Sequence, residues 1–392
     1  MSLTDKPFDI VVFGASGYTG RLVAEYLAAE YTGSDLKWAM AGRSLEKLAA
    51  GRAEMGISEA VELLAVDVDD PGSVTHMVDA CRVVITTVGP YQLYGDELVK
   101  KCAERRTDYV DLTGEPSWMH ETIAQYSSAA KASGARIVHS CGFDSIPFDL
   151  GVYRLQQHAI AKTGQPIVTV KGRVRAMNGT FSGGTIASMR ATMASAKANP
   201  AIIQVLTNPF ALTEGFTGPE QPAGMAPQYD EELQSWSAPF IMAPINTKNI
   251  HRSNFLMGHQ YGEGFRYDEM LLTGDGDQGK AAADYVAKDD SVAKSDLQPG
   301  EGPTKEEREN GNYEVIFSGE TLGGELMISS VQGDRDPGYG STSKMLAEAA
   351  MCLLVNPDLA SGGLWTPAAA MGDVLMARLQ EHAGLTFQIE KG

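Results

Sequence analysis

Residues 8–20 read Phe-Asp-Ile-Val-Val-Phe-Gly-Ala-Ser-Gly-Tyr-Thr-Gly, and this order decides the fold. Phe8 to Phe13 is a short, mostly apolar run, the pattern of a strand buried on both faces of a parallel sheet. Gly17 to about Tyr31 follows as a helix, with Leu22, Val23, Tyr26 and Leu27 on one side. Between them lies the loop Gly14-Ala15-Ser16-Gly17-Tyr18-Thr19-Gly20. Its first glycine permits a tight turn, its second lets the backbone approach a pyrophosphate, and its third lets helix and strand pack closely. The helix N-terminus adds unpaired N–H donors and a positive dipole end. With a strand before it and a helix after it, the loop reads as a dinucleotide-binding turn.

Outward from this loop the alternation of strand and helix continues. Leu36–Ala41 reads as a strand, and Ser44 as the cap of a helix through about Arg52 with Glu46 and Lys47 exposed. Val61–Val66 is a third strand, Pro71 opens a helix at its first turn, and Arg82–Val88 is a β-branched fourth strand. Gly95–Arg105 is helical, Thr107–Leu112 a strand, Ser117–Ala132 a helix closed by Gly134, and Ala135–His139 a sixth strand. This repetition predicts an α/β fold, a doubly wound parallel sheet. After about residue 150 the texture changes. Ile167–Ala176 alternates apolar and polar residues, as in a sheet with one solvated face. Thr185–Ala198 reads as a helix. Seven of the 18 prolines fall between Pro200 and Pro244, so that stretch reads as loops, either a substrate-facing lid or domain connections. Lys288–Asn312 reads as an exposed loop. Tyr313–Gly319 and Glu325–Val331 read as a hairpin, and Ser341–Val355 and Asp373–His382 as the last helices.

The end of the second strand bears on the cofactor. A carboxylate there would bind a ribose 2′-hydroxyl, but the strand runs into Gly42-Arg43-Ser44, and Asp35 precedes it. A guanidinium and a hydroxyl suit a 2′-phosphate, which favours NADP(H) over NAD(H). Ligands sit outside the carboxyl ends of parallel strands. By that rule Asp67 either meets the adenine or caps a turn, and Thr87, Val88, Gly89 and Pro90 flank the ribose and nicotinamide. Cys141, Gly142, Asp144 and Ser145, after the sixth strand, are candidate cofactor or substrate contacts, with Ser145 equally suited to cap a helix. Tyr91 and Tyr94 are candidates either for a proton donor or for an aromatic wall. Tyr91, Tyr94, Cys141 and Asp144 make up the catalytic set.

Composition excludes several functions. The chain has 392 residues, enough for two or three domains, with 43% hydrophobic and 21% charged residues. A formal charge of −18 disfavours nucleic acid and anionic membrane surfaces as partners. No apolar run is long enough to span a bilayer, and Met1–Pro7 lacks the apolar core of a signal peptide. Cys81, Cys102, Cys141 and Cys352 form no C-x-x-C pair. A cytoplasmic chain with reduced thiols is expected. The seven histidines have no metal-ligand spacing, and neither a G-x-S-x-G elbow nor a P-loop lysine pattern occurs. Flavin chemistry has no motif of its own here. Symmetric homodimers are the commonest assembly for such a chain.

Taken together, GASGYTG (14–20), AGRS (41–44), TTVGPYQLYG (86–95), YVDLTGE (109–115), CGFDSIPFDLG (141–151), PGYGSTSKMLAEAA (337–350) and GGLWTPAAAMG (362–372) resemble the saccharopine dehydrogenase-like oxidoreductases, especially their trans-acting enoyl reductase branch. The resemblance covers nearly the whole chain. It implies a Rossmann domain over 1–150, completed by 335–392, with an inserted α/β (α+β) domain over 151–334. It also implies an NADPH-dependent oxidoreductase that reduces a carbon–carbon double bond in a lipid-like or acyl substrate. The glycines, Arg43 and Gly89-Pro90 match the family's cofactor positions. Two alternatives follow. One is an amino-acid or imine oxidoreductase, which needs a cationic cluster in its cleft. Lys171, Arg173 and Arg175 are one such row, whose alternate spacing equally fits a solvated sheet face. The other is a non-catalytic protein that senses NADP.

Overall fold

A computed structural model describes residues 6–180, 183–298 and 300–392. The first five residues, part of the segment read above as lacking a signal peptide, lie outside the described residues. The first half of the chain runs β1 (Phe8–Phe13), α1 (Tyr18–Glu30), β2 (Trp38–Gly42), α2 (Leu45–Glu54), β3 (Glu62–Ala65), α3 (Pro71–Ala80), β4 (Cys81–Thr86), α4 (Tyr91–Tyr94), α5 (Asp96–Glu104), β5 (Asp108–Val110), α6 (Pro116–Ser133), β6 (Arg136–Val138) and α7 (Ile146–Thr163). The second half runs β7 (Thr169–Asn178), α8 (Gly183–Ala198), α9 (Pro200–Thr207), β8 (Gln228–Asp230), β9 (Ser235–Pro239), α10 (Ala243–Leu256), β10 (Arg266–Gly274), α11 (Gly276–Val286), α12 (Ser291–Lys294), α13 (Lys305–Asn310), β11 (Asn312–Glu320), β12 (Leu326–Gly333), α14 (Thr342–Val355), β13 (Gly363–Trp365), α15 (Pro367–His382) and β14 (Leu385–Lys391).

The first sheet has the order β13-β6-β5-β4-β1-β2-β3, and every pairing in it is parallel. Order reverses between β1 and β4, so a crevice opens at their carboxyl ends, where Gly14 and Thr87 sit. Both faces are covered. Ile10, Val12 and Met40 pack with Leu27 of α1 and Leu346 of α14, while Val11, Phe13 and Val84 pack with Val74, Leu98 and Ile123 on the other side. That is why these strands read as mostly apolar runs.

The second sheet has the order β14-β12-β11-β7-β10-β9-β8. It is mixed: β7 and β10 are parallel and the remaining pairs antiparallel. Its inner face packs on α7, where Phe148 meets Phe317 and Phe240. Five strands went unread in the sequence: β8, β9 and β10 of the second sheet, together with β13 and β14. β13 adds to the first sheet beside β6, whereas β14 pairs with β12 in the second. The stretch read as loops between Pro200 and Pro244 contains α9, β8, β9 and the start of α10, and α12 and α13 interrupt 288–312. The β7 face is not simply solvated either. Arg173 is buried, with Nη2 2.9 Å from Asp268 and Nε 3.4 Å from Asp230, while Lys171 pairs with Glu232 and Arg175 with Glu314 and Glu390. Among the described residues no helix is long and apolar enough to cross a membrane.

Candidate active site

The crevice at the β1–β4 switch widens into a cleft of about 900 Å³ between the two sheets. Its floor begins at the glycine loop. Gly14 has φ +92°, a left-handed conformation that glycine adopts without penalty. A β-carbon on Gly20 would stand 2.2 Å from the Gly14 carbonyl oxygen and 2.8 Å from Thr87 Oγ1, so α1 closes on β1 only because Gly20 has none. Gly17 occupies the N-cap of α1 with no side-chain cap, which leaves the first-turn N–H groups to another acceptor. The side chain of Tyr18 is held away from these amides. Its hydroxyl donates to the Pro303 carbonyl and accepts from Arg308 Nη1 at 2.8 Å, and its ring meets Tyr339 edge-on.

Gly14, Ser16, Gly17, Tyr18, Thr19, Arg43, Val88, Gly89, Pro90, Tyr91, Tyr94, Gly142 and Asp144 all line this one cleft. Six other expected residues do not, each for a physical reason. Ala15 packs its methyl into the core, and Gly20 is taken up by the α1–β1 contact. Ser44 caps α2 by accepting the Lys47 N–H at 3.2 Å. The Asp67 carboxylate accepts the Asp69 N–H at 3.1 Å, so it closes a turn instead of facing the cleft. Cys141 is fully buried and directs its thiol at the Val138 carbonyl, and burial pushes that thiol well above its ordinary pKa. Ser145 accepts from Asn249 Nδ2 at 2.7 Å and contacts Asn246 Oδ1 at 3.3 Å in a buried polar cluster. Cys141 and Ser145 are therefore structural residues.

The remaining catalytic candidates separate by their surroundings. Tyr91 lies flat against Trp118, and its hydroxyl donates to the Thr86 carbonyl at 3.1 Å, so it is a wall of the cleft. Glu115 accepts the backbone N–H groups of Tyr91 and Gln92, both at 2.9 Å, which fixes the turn after Pro90. Tyr94 stands 43% exposed at the mouth. Asp144 lines the cleft, has no hydrogen-bond partner among the described residues, and is pushed up to about 6 by burial. Its loop is held from both sides. The Asp111 carboxylate accepts the Ser140 N–H at 2.8 Å and the Thr113 N–H at 3.0 Å, and pairs with His139 Nδ1 at 2.7 Å. This network keeps Ser140 at φ +61°, a costly conformation for a residue with a β-carbon. From the other side Thr342 Oγ1 accepts the Phe143 N–H at 2.9 Å.

The second half of the chain supplies the opposite wall. α8 contributes Ser188, Met189, Thr192 and Met193, α9 Leu206, and the segment into α10 Phe240 to Met242. α8 is latched to α4, where Gln92 Nε2 donates to Thr192 Oγ1 at 3.1 Å and Ser195 Oγ donates to Gln92 Oε1 at 2.8 Å. Lys248 Nζ donates to the carbonyls of Leu206 and Pro244, tying α9 to α10. Several lining groups carried no sequence expectation, among them Lys47, Asp69 and the Pro337-Gly338-Tyr339 turn. Lys47 was legible in principle, because it follows Arg43 by four residues in the first turn of α2. Tyr339 sits in a π-helical turn whose Tyr339 and Gly340 N–H groups are capped by Asp336, a geometry that periodicity does not reveal.

Comparison with known proteins agrees with this geometry. Residues 10–138 match the family described as the saccharopine dehydrogenase NADP binding domain. A trans-acting enoyl reductase of Mycobacterium bovis is 34% identical, with 97% of each chain covered. A Mycobacterium tuberculosis protein whose name assigns the same activity provisionally is 38% identical, with 99% of each chain covered. The solved saccharopine dehydrogenase (L-Glu forming) of Saccharomyces cerevisiae matches the fold with a TM-score of 0.55 at 12% identity, covering 97% of this chain and 99% of its own. The chain thus belongs to the saccharopine dehydrogenase-like family, in its trans-acting enoyl reductase branch, and is an NADP(H)-dependent oxidoreductase.

Proposed function

We propose that the chain reduces a carbon–carbon double bond in an acyl or lipid-like substrate, and that the cleft between the sheets holds substrate and NADPH together. The observation that carries the substrate class is the charge of the wall. Among the described residues lining the cleft, the only cationic side chains are Arg43 and Lys47, both beside β2. Toward α8 and α10 the wall is mostly apolar, with Met189, Met193, Leu206, Phe240, Ile241 and Met242 beside the hydroxyls of Ser188 and Thr192. An amino-acid substrate with several carboxylates needs paired cations where it binds. Lys171, Arg173 and Arg175 do not serve, being ion-paired in the second sheet and absent from the lining. An aliphatic chain instead gains about 25 cal/mol per Å² of apolar surface buried, and methionine side chains adapt to its shape.

NADPH, when bound, supplies the hydride that one carbon of the double bond accepts. The chain's own residues do the rest. The amides of the glycine loop and α1 hold the pyrophosphate, and Arg43 holds the 2′-phosphate. Val88, Gly89, Pro90 and Gly142 flank the nicotinamide ribose, and Tyr91 backs them. Asp144 holds the proton that the second carbon requires, gives it up as a carboxyl group, and recovers one from solvent. α8 and α9 exclude water. In this arrangement residues 6–150 with 335–384 form the nucleotide-binding unit, while 151–334 take β14 out of the expected 335–392 segment to form the substrate unit.

Two experiments test this reading. Arg43→Ala is expected to weaken NADPH about 10- to 100-fold, the range for a lost charge-assisted hydrogen bond, while NADH binding stays as it was. Equal effects on both would remove Arg43 from the 2′-phosphate site. For the substrate, NADPH consumption is followed with a panel of α,β-unsaturated acyl thioesters and with 2-oxo acids plus an amino acid. Turnover of the thioesters alone is expected. Turnover of the imine-forming pairs alone would overturn the substrate class.

A further inference from the structure

We propose that Lys47 is the second cation of a clamp on the cofactor's 2′-phosphate, closing with Arg43, and that this pair sets the preference for NADPH over NADH. This inference rests on the reading of the cleft as an NADP site.

Charge balance calls for a second cation beside Arg43. A phosphate monoester carries a charge of about −1.5 to −2 at neutral pH, so one guanidinium neutralises only part of it. The cleft wall also includes Asp69 on the β3 side, which raises the need for a second cation. Lys47 is the only other cationic side chain in the lining among the described residues. The local fold places it beside Arg43. β2 ends at Gly42, Arg43 leads out of it, and Ser44 caps α2 by accepting the Lys47 N–H at 3.2 Å. Lys47 lies in that first turn and lines the cleft together with Arg43.

The neighbouring cations sharpen the contrast. Arg21 pairs with Glu54 at 2.6 Å, and Arg52 donates to the carbonyls of Glu59 and Val61 at 3.2 and 2.7 Å. These two are committed to holding α2 in place. Arg43 and Lys47 are exposed and make no ion pair or side-chain hydrogen bond among the described residues, in a chain where 50 acidic residues face 32 basic ones. Two unpaired cations on one cleft wall of so acidic a protein leave a local positive site. No carboxylate ends β2 to compete for a ribose hydroxyl, because Gly42-Arg43-Ser44 stands there. The division of labour follows from side-chain chemistry. Arg43 offers a planar fork that engages two phosphate oxygens, and Lys47 offers a compact ammonium that can settle on the third.

The test is a binding titration of the full chain with NADPH, NADH and the fragments 2′,5′-ADP and 5′-AMP. It uses the wild type, Lys47→Met, Lys47→Arg, Arg43→Ala and the double variant, with thermal unfolding to check that each is folded. Lys47→Met keeps the aliphatic stem and removes the charge. It is expected to weaken NADPH and 2′,5′-ADP about tenfold or more while leaving NADH and 5′-AMP unchanged. Lys47→Arg should restore most of the loss. Combining Arg43→Ala with Lys47→Met should cost less than the product of the single losses, because both cations grip one group. Should Lys47→Met weaken NADPH and NADH alike, or neither, in a protein whose wild type prefers NADPH, the clamp is wrong and the NADP reading stands. Should the wild type itself bind NADH as tightly as NADPH, the underlying reading fails instead.

Discussion

Gly17→Val is expected to cost NADPH binding at least about 100-fold with little loss of thermal stability, because this glycine leaves room for a ligand more than it relieves the chain. Gly17 has φ −80°, which any residue adopts, and a β-carbon there would meet only the Gly14 carbonyl oxygen at 3.3 Å. An isopropyl group would fill the concavity toward which the first amides of α1 point. Gly20→Ala should behave in the opposite way. Its methyl would meet the Gly14 carbonyl oxygen at 2.2 Å, a backbone contact that cannot swing aside. The expected result is a loss of about 2 kcal/mol or more of stability as α1 is pushed off β1. Titration with NADPH and thermal unfolding of the two variants, measured together, check both halves. Tight NADPH binding by a folded Gly17→Val protein would move the cofactor away from this loop.

Asp144→Asn carries the second large effect. Removing a positioned acid typically costs about 10²- to 10⁴-fold in rate, and the loss should fall on kcat while NADPH affinity is retained. The pH profile gives an independent check. Burial lifts the Asp144 carboxyl from its ordinary value to about 6. The protonated form is the one required, so kcat/KM of the wild type should fall as pH rises through that region, and the fall should be absent in Asp144→Asn. Further exclusion of water disfavours the carboxylate, so in the ternary complex the fall moves to higher pH. An unchanged profile in Asp144→Asn would assign the proton elsewhere, with Tyr94 at the cleft mouth the next group to replace.

The first sheet was open to sequence reasoning because its central strands β1, β2 and β4 are buried on both faces and read as mostly apolar runs. The failures have physical causes. β13 is three residues long, too short to show a period. β14, by contrast, alternates Leu385, Phe387 and Ile389 with polar residues, but nothing in its sequence says that it crosses back to the second sheet. α10 is the clearest case. It buries Asn246, Lys248, Asn249, His251, Arg252, Ser253 and Asn254, so no apolar stripe marks it. Most of its polar groups find individual partners, although Asn249 Oδ1 has none among the described residues. Asn246 donates to Glu269, Lys248 to Leu206 and Pro244, and Arg252 to Leu212 and Leu364. Pairings of this kind depend on the tertiary fold and leave no periodic trace.

The candidate site divides along the same line. Backbone-driven features, the glycine loop and the Gly89-Pro90 turn, were predictable from residue type. Side-chain direction was not. Cys141 and Asp144 share one short loop, yet the thiol turns into the core and the carboxylate lines the cleft. Asp67 suited an adenine contact or a turn cap equally by position, and its carboxylate closes its own turn. Lys47 looked like surface decoration on a helix, yet its side chain lines the cleft wall.

The central claim is that NADPH and an unsaturated acyl group meet in the cleft above Gly17, Gly89 and Asp144. It is tested most directly by following deuterium from NADPH labelled on its transferable position into the product of an α,β-unsaturated acyl thioester, by mass spectrometry. The account predicts one deuterium per saturated product with the wild type, and no labelled product with Gly17→Val. Tight NADPH binding with no labelled product from any unsaturated acyl thioester would contradict it.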